Sequence, residues 1–437
     1  MISAKDKSLL KKYLPNDDIL AQCMHCGMCL ATCPTYEMTK MERSSPRGRI
    51  KLIKSVAEGK LELSNLFAEE MDFCLDCQAC ETACPAGVQY GKMVESARVV
   101  IDHSHVGSSK FNKLIKRFLL NSVVARHSRL KALAKFLYFY QNSGIRYAAI
   151  KILSLFPFAK NLVEIESLTP TISKLFSSEV IPEKTSSEKN AKYKIAFSTG
   201  CIMDVAFADI NIDTIEVLKK NDCEIITPKD QVCCGSLHAH NGQYEKAKEL
   251  AKKNLDVFSR YEYDFLVSNS AGCGAFMKEY KHLFKDDFEY SKKAEIFSNR
   301  VKDVSEFLAN TEPSRELHPL EEKVTYHDAC HLCHSQKITE EPRMVLRQIP
   351  GLKIVELEES TWCCGSAGIY NVTQHSNAEK ILERKMKNLE KTGADIVVAG
   401  NPGCLGQLKY GIKKYGLKME AMHTISLVKK SMDTNIQ

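Results

Sequence analysis

Two cysteine runs near the start of this 437-residue chain have the spacing of metal ligands. Cys23, Cys26, Cys29 and Cys33 precede Pro34, and Cys74, Cys77, Cys80 and Cys84 precede Pro85 with the same intervals. Thiolates at i, i+3 and i+6 in a tight turn converge on three corners of one iron–sulfur cube, and the fourth corner comes from elsewhere. A structural zinc site takes four ligands, usually as two pairs separated by a loop. Eight cysteines with a proline closing each run fit that poorly, so the duplicated run points to two [4Fe-4S] clusters.

Where two such clusters share a domain, the fourth cysteine of each run ligates the other cluster. Cys23, Cys26, Cys29 and Cys84 would then hold one, and Cys74, Cys77, Cys80 and Cys33 the second. Between the runs, Ser45-Pro46-Arg47-Gly48-Arg49-Ile50 reads as a turn leading into a helix, with Pro46 at its start. Arg47, Arg49 and Lys51 would lie near the clusters, where cations favour the reduced form, or on a solvated helix face.

Eight more cysteines belong to an internal repeat. An apolar run from Tyr193 to Phe197 leads to Cys201, followed by Cys233-Cys234-Gly235 and then by Cys273. Further on, Val324-Thr325-Tyr326 leads to Cys330, followed by Cys363-Cys364-Gly365 and then by Cys404. Cys201 to Cys233 is 32 residues and Cys330 to Cys363 is 33; Gly235 to Cys273 is 38 and Gly365 to Cys404 is 39. Each copy reads as short buried strands alternating with helices such as 244–258 and 378–389, hence a small α/β unit with parallel strands. The cysteines fall just after strand ends, where open α/β sheets present their ligand sites. Four thiolates per copy suffice for a zinc ion or a further iron–sulfur cluster, and the adjacent Cys-Cys-Gly favours the cluster.

The elements that carry these sites divide the chain into four parts. Residues 1–100 form a helical domain for two clusters, 101–190 a basic helical connector and linker, 191–315 the first repeat and 316–437 the second. From His103 to Lys160 there are eleven Lys or Arg residues and no Asp or Glu. Phe111, Leu114, Ile115, Phe118 and Leu119 recur there at helical spacing. A basic amphipathic stretch suits an anionic membrane surface or an acidic partner, or simply a connector that exposes its lysines. No nucleic-acid motif accompanies the charge, so nucleic acid is not an expected partner. The serine-rich stretch 171–191 reads as a linker.

Eighteen cysteines in a chain with no signal-peptide apolar core point to a reducing, cytoplasmic setting, at most at the inner face of the membrane. No run of eighteen apolar residues exists to span a bilayer. There is no Walker motif and no G-x-G-x-x-G after a strand, so nothing here binds a flavin or a nicotinamide. Cys330-His331-Leu332-Cys333-His334 matches the haem-attachment pattern. The repeat claims Cys330 for the Cys-Cys-Gly site, leaving Cys333, like Cys223, as an extra buried thiol. His238, His240, His327, His331 and His334 lie close to the motifs, to touch a cluster, to shuttle protons or to serve as structural histidines.

The two cysteine runs, the Ser45–Ile50 stretch and the two Cys-Cys-Gly modules together resemble the iron–sulfur subunit of glycolate oxidase. Relatives of that family include the CCG subunits of D-lactate dehydrogenases, anaerobic glycerol-3-phosphate dehydrogenase and heterodisulfide reductase. The resemblance is most local in 231–238 and 363–370, and it covers essentially the whole chain. It implies an α-helical two-cluster ferredoxin domain followed by two repeated α/β CCG modules. It also implies an electron-transfer subunit of a flavin-dependent 2-hydroxy-acid dehydrogenase, with a FAD-binding partner doing the chemistry and a quinone or other acceptor receiving the electrons. Glycerol 3-phosphate oxidation or heterodisulfide reduction is the alternative. Against the latter, the fifth cysteine of the heterodisulfide reductase motif is Phe276 in one copy and Gln407 in the other.

Overall fold

A computed structural model describes residues 4–156, 160–313 and 316–433. The N-terminal part is helical. Helices Pro46–Ala57, Asn65–Asp72 and Tyr90–His103 enclose a core that includes Ile53, Met71, Met93 and Ala97. Ser45 caps the first of these, its hydroxyl accepting from the Gly48 N–H at 3.0 Å, with Pro46 in the first turn. Gly48 is obligatory, because a Cβ there would lie 1.8 Å from the Glu42 carbonyl oxygen. The core runs on to Val106, so residue 100 falls inside a helix rather than at a boundary.

Two sheets follow. Strands β1 (Lys184–Thr185), β2 (Tyr193–Ser198), β3 (Cys223–Ile226), β4 (Phe265–Ser268) and β5 (Val301–Asp303) are ordered β1-β3-β2-β4-β5. Strands β6 (Lys323–Tyr326), β7 (Lys353–Ile354), β8 (Ile396–Val398) and β9 (Glu420–Met422) are ordered β7-β6-β8-β9. Apart from β1, every pairing is parallel. Setting β2 against β6 makes the two orders match apart from β1, which has no counterpart, so the sequence repeat is a repeat of topology. Ile195, Ala196, Phe197, Leu266 and Val267 are fully buried, as parallel strands covered on both faces must be.

The two modules share one core. Helix Ala208–Lys220 of the first packs on Thr424–Asp433 of the second, and helix Glu341–Arg347 of the second packs on Val304–Ala309 of the first. Each contact thus exchanges the same two positions of the repeat, a reciprocal arrangement like that of a local two-fold.

Residues 171–190 depart from the sequence reading. They are no free linker: Ile172, Phe176 and Ile181 are buried in the module core, and β1 pairs antiparallel with β3. Ser177 and Ser178 donate to the buried Asp204, so these serines bind the module in place of lending flexibility. The basic segment is helical as expected, in Lys110–Phe118, His127–Asn142 and Ile145–Ser154. Its apolar residues are mostly not packed: Phe111 is 69%, Leu114 65%, Phe136 65% and Leu155 73% exposed.

Candidate metal centres

The two cysteine runs adopt one backbone form. His25 and Gly27 have φ of 57° and 89°, and their counterparts Asp76 and Gln78 have 54° and 60°. Positive φ on both sides of the central cysteine winds the chain so that the three thiols face inward, at a strain a non-glycine residue rarely accepts. In the second run, Cys74, Cys77 and Cys80 line one cavity with Cys33 from the first run, the crossed set expected from spacing. The Tyr90 hydroxyl donates to Cys74 Sγ at 3.2 Å and the Asp76 N–H at 3.3 Å. Arg49, fully buried, lines the same cavity; it donates to the Glu70 carbonyl and to Thr35, and its Nη2 lies 3.8 Å from a Glu70 carboxylate oxygen.

Burial, and then the neighbouring thiols, push Cys77 and Cys80 far above a free cysteine. Four thiols in a low-dielectric cavity ionise together only with a compensating positive charge. An iron–sulfur group supplies that charge, and the cavity's thiols fit one, with the Tyr90 hydroxyl and the Asp76 N–H donating to a ligand sulfur. In the first run Cys23, Cys29 and Cys84 pack on the same helical core, and Cys26 is exposed. Arg47 lies beside this run, donating to the His25 carbonyl at 3.1 Å, whereas Lys51 points to solvent.

Each module brings its four cysteines together. Cys201, Cys233, Cys234 and Cys273 form a chain of side-chain contacts, and so do Cys330, Cys363, Cys364 and Cys404. Gly365, at φ 90°, carries the close approach behind the second site: a Cβ would meet the Ala378 carbonyl at 2.7 Å. The donor set is thiol-rich and buried, as a soft metal or an iron–sulfur cluster requires.

The second module's site adjoins the helical domain. Cys77 packs in one cluster with Cys330 and Cys363, together with Phe73 and Trp362. A polar network joins both modules to the helical domain. His240 Nδ1 contacts Glu95 at 2.7 Å and Asp76 at 3.1 Å, and Arg98 donates to the carbonyls of Met71, Cys74 and His240. Although burial opposes its charge, the two carboxylates raise His240 to about 10. The rings of His240 and His331 lie 4.9 Å apart, and His331 Nε2 meets the Asp76 carbonyl. His334 Nδ1 pairs with the Thr82 hydroxyl.

The other sequence candidates sort out clearly. Cys333 donates weakly to the Cys330 and Asp328 carbonyls, and Cys223 to that of Asn221. Since Cys330 belongs with Cys363, the haem-like pentapeptide is spoken for. Sequence reasoning did not single out Asp76, Glu95, Arg98, Tyr90 or Lys385. Lys385 is fully buried near Cys363 and Cys364, its ammonium donating to the Glu359 carbonyl. Their partners lie on other elements, so no local pattern marks them; the adjacency of Asp76 to Cys77 is the one available hint.

With this geometry in view, comparison with known proteins is direct. The 4Fe-4S dicluster domain family matches residues 19–88, the cysteine-rich domain family matches 195–278 and 324–409, and the linker region of the glycolate oxidase iron-sulfur subunit matches 111–169. The probable glycolate oxidase iron-sulfur subunit of Bacillus subtilis is 38% identical over 94% of this chain and 93% of its own length. The chain belongs to the glycolate oxidase iron–sulfur subunit family. The Escherichia coli glycolate oxidase iron-sulfur subunit is 31% identical over 90% of each chain. Lactate utilization protein A of Shouchella clausii is 32% identical over 51% of this chain and 93% of its own. A hypothetical protein from Helicobacter pylori shares the fold, with a TM-score of 0.54 over 98% of this chain and 77% of its own at 11% identity. The chain is thus an iron–sulfur protein, an oxidoreductase subunit with a dicluster domain followed by two CCG repeats. Among the described residues no helix is long and apolar enough to cross a membrane.

Proposed function

We propose that this chain relays electrons from a FAD-binding partner, which oxidises a 2-hydroxy acid such as glycolate or lactate, to a quinone or other acceptor. The observation that carries this reading is the packing of Cys77, from the dicluster domain, and Cys330 on one hydrophobic cluster that contains Cys363. Oxidation of a hydroxy acid to an oxo acid releases two electrons and two protons, hydride chemistry that belongs to a flavin. Iron–sulfur clusters, when bound, supply one-electron carriers. This chain's own residues hold and tune them. Cys23, Cys26, Cys29 and Cys84 would hold one cluster, and Cys74, Cys77, Cys80 and Cys33 the other. Cys201, Cys233, Cys234 and Cys273, with Cys330, Cys363, Cys364 and Cys404, would form further metal sites. Arg49 sets a positive charge against the second cluster's ligands, and Tyr90 donates to one of their sulfurs.

The exposed face of the basic helices supports a seat on an anionic membrane surface, where a quinone would be met. Phe111, Phe118, Phe136 and Phe139 are 58–69% exposed on helices that also carry the exposed Lys110 and Arg129. Co-sedimentation with phosphatidylglycerol vesicles, lost in an F111E/F118E variant and absent with phosphatidylcholine, is the expected result.

The test of the relay is optical. The tagged chain is purified anaerobically with its partner, and glycolate, lactate and glycerol 3-phosphate are added in turn. Bleaching of the iron–sulfur absorbance by a hydroxy acid, abolished in C77S, supports the reading. No bleaching by any fuel, with dithionite still effective and the flavoprotein present, refutes it. Full substrate-driven electron transfer in C77S would refute the wiring.

A further inference from the structure

We propose that His327 is a metal ligand, adding an imidazole nitrogen to the thiolates of the second module's centre. This rests on the reading above that the second module holds metal.

His327 follows β6 and is 1% exposed, and neither ring nitrogen completes a hydrogen bond. A buried imidazole left unpaired is costly, and native structures rarely tolerate it without a function. A ring nitrogen, Cys364 Sγ and Cys404 Sγ lie within 4.8 Å of one another. One metal ion or one edge of a cluster spans such a gap, with metal–sulfur bonds of about 2.3 Å and metal–nitrogen bonds of about 2.0–2.1 Å. The ring also faces the Ser360 carbonyl, which already accepts from the Asp328 N–H at 3.2 Å. A ligating histidine characteristically turns its second nitrogen to such a carbonyl, which fixes the tautomer.

The repeat supplies an internal control. His327 lies three residues before Cys330, and Ser198 lies three before Cys201, buried at 8%. The fold therefore does not need an imidazole at this strand end. The buried Lys385 stands seven residues after Ala378, and the neutral Asn254 stands seven after Ala247, where the two glycines make matching contacts. Thus two basic groups flank the second site where the first has a hydroxyl and an amide. Replacing thiolate by neutral imidazole raises a cluster's reduction potential, as in Rieske centres.

The test uses the full chain with its metal, grown with 15N-histidine. Metal assays on wild type, C364S and C273S first show which metal each module holds. Pulsed EPR of the reduced protein, or X-ray absorption at the zinc edge if the second site holds zinc, then reads the nitrogen. The expected result is directly bound nitrogen in wild type and C273S, lost in H327S and H327Q, with the second centre's midpoint shifted downward in H327C if it is a cluster. H327C keeps a metal-binding side chain and covers the case in which H327S does not fold. Metal in the second module without bound nitrogen, or a nitrogen signal unchanged in H327S, overturns this inference alone. Metal content unchanged by C364S overturns the underlying reading as well.

Discussion

Replacing His240 by glutamine removes the imidazolium shared by the buried Asp76 and the part-buried Glu95 at the junction of the helical domain and the first module. His240 reaches Glu95 at 2.7 Å and Asp76 at 3.1 Å, with Arg98 3.7 Å from Asp76 and the tilted His331 ring 4.9 Å away. The carboxylates hold His240 protonated to about 10, against about 6.5 in an unfolded chain. That difference sets a ceiling of about 5 kcal/mol, at about 1.4 kcal/mol per tenfold change in proton affinity. The His240 side chain is 19% exposed, and burial raises Glu95 so that it takes up a proton readily. Both effects reduce the cost to about 3 kcal/mol, the lower end for breaking a buried pair. Because the folded-state value lies above the unfolded one, the contribution is complete below about pH 6.5 and is lost as pH rises to about 10. The assay is anaerobic thermal unfolding of wild type and H240Q from pH 6 to 10. In a chain of this length the expected gap is on the order of 3–6 °C at pH 6, closing towards pH 10. A gap that stays constant with pH, or that widens towards pH 10, would refute the reasoning.

Gly242 has φ 78°, and a Cβ there would lie 2.4 Å from the Arg98 carbonyl oxygen. G242A therefore combines left-handed strain of about 1–2 kcal/mol with a forced separation of the two parts, and should expose the connector near 104–110 to limited proteolysis. R49M removes the buried cation beside Cys33, Cys74, Cys77 and Cys80. It should lower the midpoint potential of that cluster by about 60 mV, equivalent to about 1.4 kcal/mol for one electron, as read by potentiometric EPR, while R49K keeps most of it. C333A should retain full iron content and bind no haem, at a stability cost of about 1 kcal/mol; loss of iron in this variant would show that Cys333 is a ligand.

How much of this was legible beforehand follows from the range of each interaction. The i, i+3, i+6 intervals, the offsets of the repeat, the helix opened by Pro46 and the strand ends bearing Cys201 and Cys330 are local patterns, because backbone geometry carries them over a few residues. The serine-rich stretch 171–190 misled for the same reason: composition reports turn propensity, while the pairing of β1 with β3 and the burial of Phe176 are decided by distant partners. The aromatic and aliphatic residues of 111–156 carry helical spacing, yet periodicity does not say whether a face meets a core or remains uncovered.

The sequence by itself determined the donor atoms: sixteen thiols in two dicluster runs and two repeated modules, with the glycines that let the backbone close around them. The duplicated runs also led to the expectation that Cys33 crosses to Cys74, Cys77 and Cys80, whereas only the tertiary structure decided how one site meets the next. It packed Cys77 and Cys330 on one cluster with Cys363, and brought His327 to Cys364 and Cys404. It also turned Arg49 and Lys385 inward to buried thiols. Ligand type and spacing are local covalent properties, whereas the position of one site relative to the next depends on the packing of whole elements, and no short pattern encodes that.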